Sequence, residues 1–463
     1  MTRPLPRAGR RVAPQEAGAI LNTSGLGAQT SYMVVDLANG QVLDAHQPDL
    51  ALPPASVTKA VTAIYAQHNL GAGFRFETRV LTIGARSGSE LRGDVVLEGS
   101  GDPLLDTDRL AGLASELAQS GIRSISGRFI FVDSSLPHIQ QIDPGQPAQA
   151  GYNPGISGLN LNYNRVYFEW LRANGAYSVS MDARSGRFKP RINMAQMEVV
   201  SRAGPLYTYR QAGGRELWTV ARDALGNGGG RWLPVRDPGL YAAQTFAVLA
   251  AGFGISLPAP ISGARPAGAE TVANTFSPTL TTILSDMLYH STNLTAEVLG
   301  LRASAEANQP SGNLHQSATS MARWAATQAG GDIGQYRNHS GLSADSRATA
   351  QQLVKLMQSR VARAGLRNIM REMQLVDGQG NGAPVPGRQV FGKTGTLNFA
   401  HGFSGYIERD GQQRLAFAIF AADLAARASA SSEEERPRGA RAWLGKARAQ
   451  EQALLRRWAS LYT

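Results

Sequence analysis

Cysteine is absent from the 463 residues. That excludes a thiol nucleophile, a thiolate zinc site, an iron–sulfur cluster and a disulfide framework. Lysine is scarce: five of the 46 basic residues are Lys, at 59, 189, 355, 393 and 446, and the rest are Arg. Long apolar runs are missing as well. Of the two nearest, 246–261 is broken by Gly and Pro and 415–426 is short, against the roughly 18 residues of a membrane span. Segment 17–26 contains Gly, Asn, Thr and Ser, too polar for the core of a signal peptide. On its face the chain reads as soluble and unexported. Acidic residues are outnumbered, and the net charge is +11. The basic residues are scattered, with loose clusters at Arg3, Arg7, Arg10 and Arg11 and from Arg436 to Arg457. No continuous basic face or nucleic-acid module is recognisable, so nucleic-acid binding is not expected. Weak attraction to anionic surfaces stays open.

What is present is globular composition, 43% hydrophobic and 17% charged, which excludes a disordered or fibrous chain. Residues 1–16 have no periodicity and read as a flexible arm. Tyr32–Leu37 and Gln41–Asp44 flank Asn39-Gly40, a strong hairpin signal. Pro53-Pro54 precede an apolar stripe at Val57, Val61 and Ile64, which predicts a helix opening near Ser56. From about 75 to 265 the pattern is strand-rich, with one helix expected at 110–120 and a loop tip at 226–230. Helical patterns return at 280–301, 317–329 and 348–364. Strand patterns follow at 389–396, 405–408 and 415–420, then a basic helix near 439–460. The hairpin and the late strands fit one antiparallel sheet covered by helices, with the 75–265 region as an excursion from it.

Ser56-Val57-Thr58-Lys59 places a hydroxyl and an amine three residues apart on one helix face. A lysine with a lowered pKa can deprotonate such a serine. Chance alone yields about 0.4 such Ser-x-x-Lys matches in a chain of this composition, so the motif is weak by itself. Lys393-Thr394-Gly395-Thr396 is rarer, with about 0.03 Lys-Thr-Gly matches expected. It lies in a strand pattern where Gly395 permits close approach of a substrate backbone. Between them are two Ser-x-Asn triplets, Ser291-Thr292-Asn293 and Ser311-Gly312-Asn313. The first adjoins a helical pattern and is preferred. The seven His show no metal-ligand spacing, and His339 and His401 read as packed or surface residues. No metal or cofactor is implied.

Ser-x-x-Lys, Ser-x-Asn and Lys-Thr-Gly, in that order, are the three motifs of active-site serine penicillin-recognising enzymes. The long gap between the first two resembles the D-alanyl-D-alanine carboxypeptidase/endopeptidase family, the class C low-molecular-mass penicillin-binding proteins. Gly99–Pro103, Leu159–Asn164 and Ser340-Gly341-Leu342-Ser343 carry the resemblance further. Asn338-His339 depart from the Asp-Gly that usually precedes the last of these. The resemblance implies an α+β fold: a serine β-lactamase/DD-peptidase-type domain, an antiparallel sheet flanked by helices, formed by 17–74 and 266–463. An inserted accessory region, 75–265, would form two small domains. It implies Ser56 as nucleophile, Lys59 as base and Ser291 as proton relay to the leaving amine. Asn293 would hold the substrate amide or orient Lys59. Lys393, Thr394 and Thr396 would hold the substrate carboxylate beside Gly395, with Ser56 and Thr396 N–H groups as the oxyanion hole. Expected partners are peptidoglycan peptides ending in D-Ala-D-Ala, and β-lactams that mimic them. The family is exported, so a periplasmic or other extracytoplasmic location is implied despite the missing signal pattern. A β-lactamase or esterase of the same fold, or a non-catalytic wall-binding protein, are the alternatives.

Overall fold

A computed structural model describes residues 15–463 except Gly378, Ser432 and Glu433. The arm expected at 1–16 therefore lies outside the described residues, apart from its last two. The chain is α+β. Its central sheet has six antiparallel strands in the order Arg371–Met373, Arg388–Leu397, Ala400–Arg409, Gln412–Ala422, Thr30–Asp36 and Val42–His46. The hairpin of the N-terminal region thus joins the late strands edge to edge. Thr30–Asp36 is buried along almost its whole length because both faces of the sheet are covered. Met33 and Val35 pack on one side with the helix Thr58–Leu70. Tyr32 and Val34 pack on the other with Leu454, Leu455 and Trp458 of the last helix, Ala440–Leu461. A strand buried on two faces reads as a continuous apolar run rather than an alternation.

Thr58–Leu70 is sandwiched between this sheet and other helices, and Thr58 through Ala66 are all buried. A helix with no polar face is a core helix. The expected single helix over 280–301 is two, Leu280–His290 and Asn293–Glu306. The break is Ser291, held at φ +59°, a left-handed conformation that no helix interior tolerates. The 348–364 pattern is likewise broken at Ser359, whose extended backbone separates Ala350–Gln358 from Arg360–Arg363.

Between Glu77 and Phe276 the chain builds three further sheets, one of six strands and two of three. Their first and last strands, Glu77–Ser87 and Glu270–Phe276, are neighbours, and Glu77 pairs with Phe276. Strand pairing carries this sheet on to Phe276, past residue 265. One apolar cluster, from Val80 to Ala273, runs through all three sheets, where the sequence suggested two small domains. Two readings change here. Pro238–Gly252 is a second helix, started by Asp237, which accepts the Leu240 N–H, and by Pro238 in the first turn. Gly228–Pro234 is a strand, pairing with Arg165–Leu171, not a loop tip; the glycines there leave room for Tyr167 and Trp170 to lie over it.

Candidate active site

Ser56 occupies one 3-10 turn, Ala55–Val57, that runs directly into Thr58–Leu70. Ala55 is held at φ +48°, a conformation costing a residue with a Cβ about 1–3 kcal/mol unless its surroundings impose it. Two glycines supply that imposition by letting backbone meet backbone. A Cβ on Gly341 would stand 1.8 Å from the Ala55 carbonyl oxygen, and Gly341 itself has φ +73°. A Cβ on Gly395 would stand 2.7 Å from Pro54 O and 2.8 Å from Ser56 N. The Lys393 strand is thereby pressed against the serine turn.

Lys59 is fully buried. Its Nζ lies 2.9 Å from Ser56 Oγ, 2.7 Å from Asn293 Oδ1 and 2.8 Å from the Ser340 carbonyl oxygen. Asn293 is oriented by its amide nitrogen, which donates to the Tyr152 carbonyl at 3.0 Å. Burial holds the Lys59 amine well below its ordinary pKa, and the charge of Lys393 pushes it the same way. Asn293 Oδ1 and Ser340 O are acceptors only. A neutral amine gives each of them one N–H and keeps its lone pair for the Ser56 hydroxyl.

The loop carrying Ser340 is pinned by Glu297, which the sequence reading missed. Its two carboxylate oxygens accept the N–H groups of His339 at 2.8 Å and Ser340 at 2.9 Å. Glu297 is completely buried, and burial raises its pKa, while the Ser340 and His339 bonds and the Lys59 amine oppose the rise. The available signal was position: Glu297 stands four residues after Asn293, on the same helix face, in an otherwise uncharged stretch. His339, the departure from the family pattern, is buried and neutral, its pKa lowered to about 3 by burial. It fits because Gly300 faces it, where a Cβ would collide with the ring at 2.1 Å. Its Nε2 lies 2.8 Å from Ser317 Oγ.

Lys393 is buried on the strand Arg388–Leu397 of the central sheet, its Nζ donating to the Thr394 carbonyl at 2.8 Å. Burial, with Arg371 nearby, lowers its pKa to about 8. Thr394 is half-buried and Thr396 exposed. Behind Thr396 stands a second missed pair. Thr396 Oγ1 is 3.3 Å from His401 Nδ1, and His401 Nε2 is 2.8 Å from Glu451 on the last helix. Ser291 sits at the junction of its two helices, and among the described residues its hydroxyl has no hydrogen-bond partner at Ser56 or Lys59. The rejected triplet has a structural use: Asn313 caps Leu314–Ala329 by accepting the Gln316 N–H.

Two cavities meet at Tyr152. One, about 260 Å³, is lined by Asp143, Ser343, Leu397, Asn398 and Arg427. The other, about 160 Å³, is lined by Tyr163, Arg165 and the Ser291–Leu294 segment. Residues between 143 and 165 thus line both cavities, and the smaller one reaches Ser291 and Asn293. Among the described residues no three His, Asp or Glu side chains gather as a metal site, and no helix is long and apolar enough to cross a membrane.

The D-Ala-D-Ala carboxypeptidase 3 (S13) family model matches residues 15–441. The chain belongs to this family. A curated D-alanyl-D-alanine carboxypeptidase of Actinomadura sp. (strain R39) is 33% identical over 159 residues, 33% of this chain and 29% of that protein. The D-alanyl-D-alanine carboxypeptidase DacB of Haemophilus influenzae is 28% identical over 110 residues, 24% of this chain and 23% of that one. The matched segments span under a third of either relative. The crystal structure of penicillin binding protein 4 (dacB) from Haemophilus influenzae superposes with a TM-score of 0.77 at 17% identity, covering 95% of this chain and 99% of that one. The fold is that of this family's DD-peptidases, a catalytic-type antiparallel sheet with extra strand-rich material.

Proposed function

We propose that this chain is a serine D-Ala-D-Ala carboxypeptidase of the cell wall, working outside the cytoplasm on peptidoglycan stem peptides through an acyl-enzyme on Ser56. The observation that carries the reading is the Lys59 amine, buried, depressed in pKa and within 2.9 Å of the Ser56 hydroxyl. Ser56 attacks the carbonyl between the last two D-Ala residues, and its proton passes to Lys59. The Ser56 and Thr396 N–H groups receive the oxyanion, an interaction worth about 10²–10³-fold per donor in comparable sites. Lys393, with the Thr394 and Thr396 hydroxyls beside Gly395, holds the terminal carboxylate. Its pKa of about 8 leaves it charged at neutral pH. Asn293 orients Lys59 and meets the substrate amide. Ser291, with its hydroxyl uncommitted, relays the proton held by Lys59 to the departing amine. Water then releases the acyl group. An endopeptidase reaction uses the same steps with a larger leaving group. β-Lactams acylate Ser56 by the same route; the Haemophilus influenzae penicillin binding protein 4, similar in fold at a TM-score of 0.74, has been solved complexed with one.

Intact-mass measurement after incubation with penicillin tests this. Wild type gains one drug mass and Ser56→Ala gains none, while release of D-Ala from a D-alanyl-D-alanine peptide is lost in the same variant. An adduct on Ser56→Ala overturns the assignment. An adduct that clears within seconds with turnover of the drug makes the protein a β-lactamase instead.

A further inference from the structure

Arg165 opens a strand of the inserted region, Arg165–Ala173, yet lines the smaller cavity beside Ser291 and Asn293. Its guanidinium carbon lies 5.1 Å from the Tyr163 ring and 5.5 Å from the Trp232 ring. Aromatic faces attract the charge but accept none of its five N–H bonds in the guanidinium plane. Nε is shut off from solvent without a partner. Among the described residues the side chain has neither a hydrogen bond nor a carboxylate. Burial lowers its pKa, with only the Tyr163 and Tyr241 hydroxyls opposing. Asp286, whose field reaches Tyr163, lies 3.6 Å from His290 and, among the described residues, makes no ion pair with Arg165.

The backbone that delivers this residue is expensive. Asn162, Tyr163 and Asn164 are all left-handed, at φ +51°, +55° and +52°. Asparagine tolerates that conformation better than other residues with a Cβ, and tyrosine does so poorly. Buried asparagine bonds hold the turn: Asn164 Nδ2 donates to Gly155 O at 2.8 Å and to Asn160 Oδ1 at 2.7 Å, and Asn162 Nδ2 donates to Thr107 Oγ1 at 2.8 Å. Imposed strain of this kind clusters at ligand sites. Opposite Arg165 begins the helix Asn293–Glu306, and its N-cap, Thr292, makes no side-chain capping bond. Its first N–H groups add to the positive character of the cavity wall.

We propose that Arg165 forms an anion subsite for the leaving half of the substrate, taking a carboxylate borne on the side chain of the departing residue. This rests on the reading of Ser291 as the group that protonates the leaving amine. Whatever extends from that amine beyond a single D-alanine passes Ser291 and enters the cavity in which Arg165 waits. The planar fork of arginine matches a carboxylate with two parallel bonds. The other carboxylate of the departing residue stays with Lys393.

Two peptides with the same acyl half test the subsite, one ending in D-alanine and the other in D-2-aminoadipate. Wild type is expected to prefer the acidic leaving residue. In Arg165→Met that preference, the ratio of the two kcat/KM values, falls about ten- to a hundredfold, the range of one charge-assisted pair. The loss lies mainly in KM. Arg165→Lys, which keeps the charge without the fork, retains part of the preference and guards against a folding failure in the Met variant. Absence of any preference in wild type, or its survival in Arg165→Met, overturns the proposal. Penicillin acylation is read in parallel on all three proteins. An adduct with no acidic preference sinks the subsite alone, whereas no adduct in wild type sinks the catalytic reading and the subsite with it.

Discussion

Glu297 in the catalytic half and Glu216 in the inserted region are both buried, and each pins a loop through two consecutive backbone N–H groups. Glu297 uses both oxygens, one for His339 and one for Ser340. Glu216 uses one oxygen twice, accepting from Arg236 at 2.6 Å and Asp237 at 3.0 Å, and its Oε2 has no partner. The Glu297 loop presents a carbonyl to Lys59, so a buried acid lies within the field of a buried base. The Glu216 loop starts the helix Pro238–Gly252 and faces no catalytic group. Burial raises the Glu216 pKa to about 7. The same device therefore fixes the loop beside the Ser56–Lys59 pair in one region and a helix start in the other.

The largest expected effect tests the catalytic side of that contrast. Lys59→Ala should slow penicillin acylation at saturating drug by about 10²–10⁴-fold, the usual worth of a positioned base. Stopped-flow acylation measures it. A smaller loss would mean that another group takes the Ser56 proton.

Next comes stability. Glu216 binds its proton more tightly folded than unfolded, since its folded pKa of about 7 exceeds the ordinary 4.5. Its contribution is therefore fully present below about pH 4.5 and is lost as pH rises through about 7, on the order of 3 kcal/mol in total. Urea unfolding across this window should show the decline. Glu216→Gln should flatten it, because the amide oxygen still accepts both N–H bonds without carrying charge.

Glu297→Gln should act on rate instead. Wild-type acylation should rise with pH as Lys59 loses its proton. Apparent affinity for the substrate carboxylate should fall above about pH 8 as Lys393 loses its charge. Glu297 raises the Lys59 pKa, so its neutralisation should move the acid limb to lower pH and leave the alkaline limb in place. An unmoved acid limb would show that Lys59 does not feel Glu297.

The smallest effect belongs to Tyr152. The inserted region holds Asn293 through the Tyr152 backbone carbonyl, not its ring. Tyr152→Phe should therefore change acylation by no more than about twofold, as expected of a surface substitution. A larger loss would give the hydroxyl a role at the cleft.

Much of the centre was legible because its members are sequence-local or fixed by strand period. Ser56 and Lys59 share a helix face, and Lys393 through Thr396 lie along one strand. The antiparallel sheet followed from Asn39-Gly40 and the late apolar runs. The helix break at Ser291 was not legible, because an apolar period on both sides hides one residue with positive φ. The helix Pro238–Gly252 was hidden by an apolar content that gives it no polar face. Glu297 could have been noticed as the one acid on the buried part of its helix, Glu306 standing at the exposed end, but nothing local says which loop it holds.

The sequence by itself determined the chemical groups, their order, and the fact that a long excursion separates Ser56 from Ser291. Only the tertiary structure decided that a backbone carbonyl, Ser340 O, shares the Lys59 amine with Asn293, and that Arg165 and Tyr152 of the excursion stand in the cleft wall. The reason is physical. Side-chain identity is written in sequence, but a carbonyl is the same at every residue, and a lowered lysine pKa comes from burial. Both depend on which distant segments the packed core brings together, and local pattern carries no record of that.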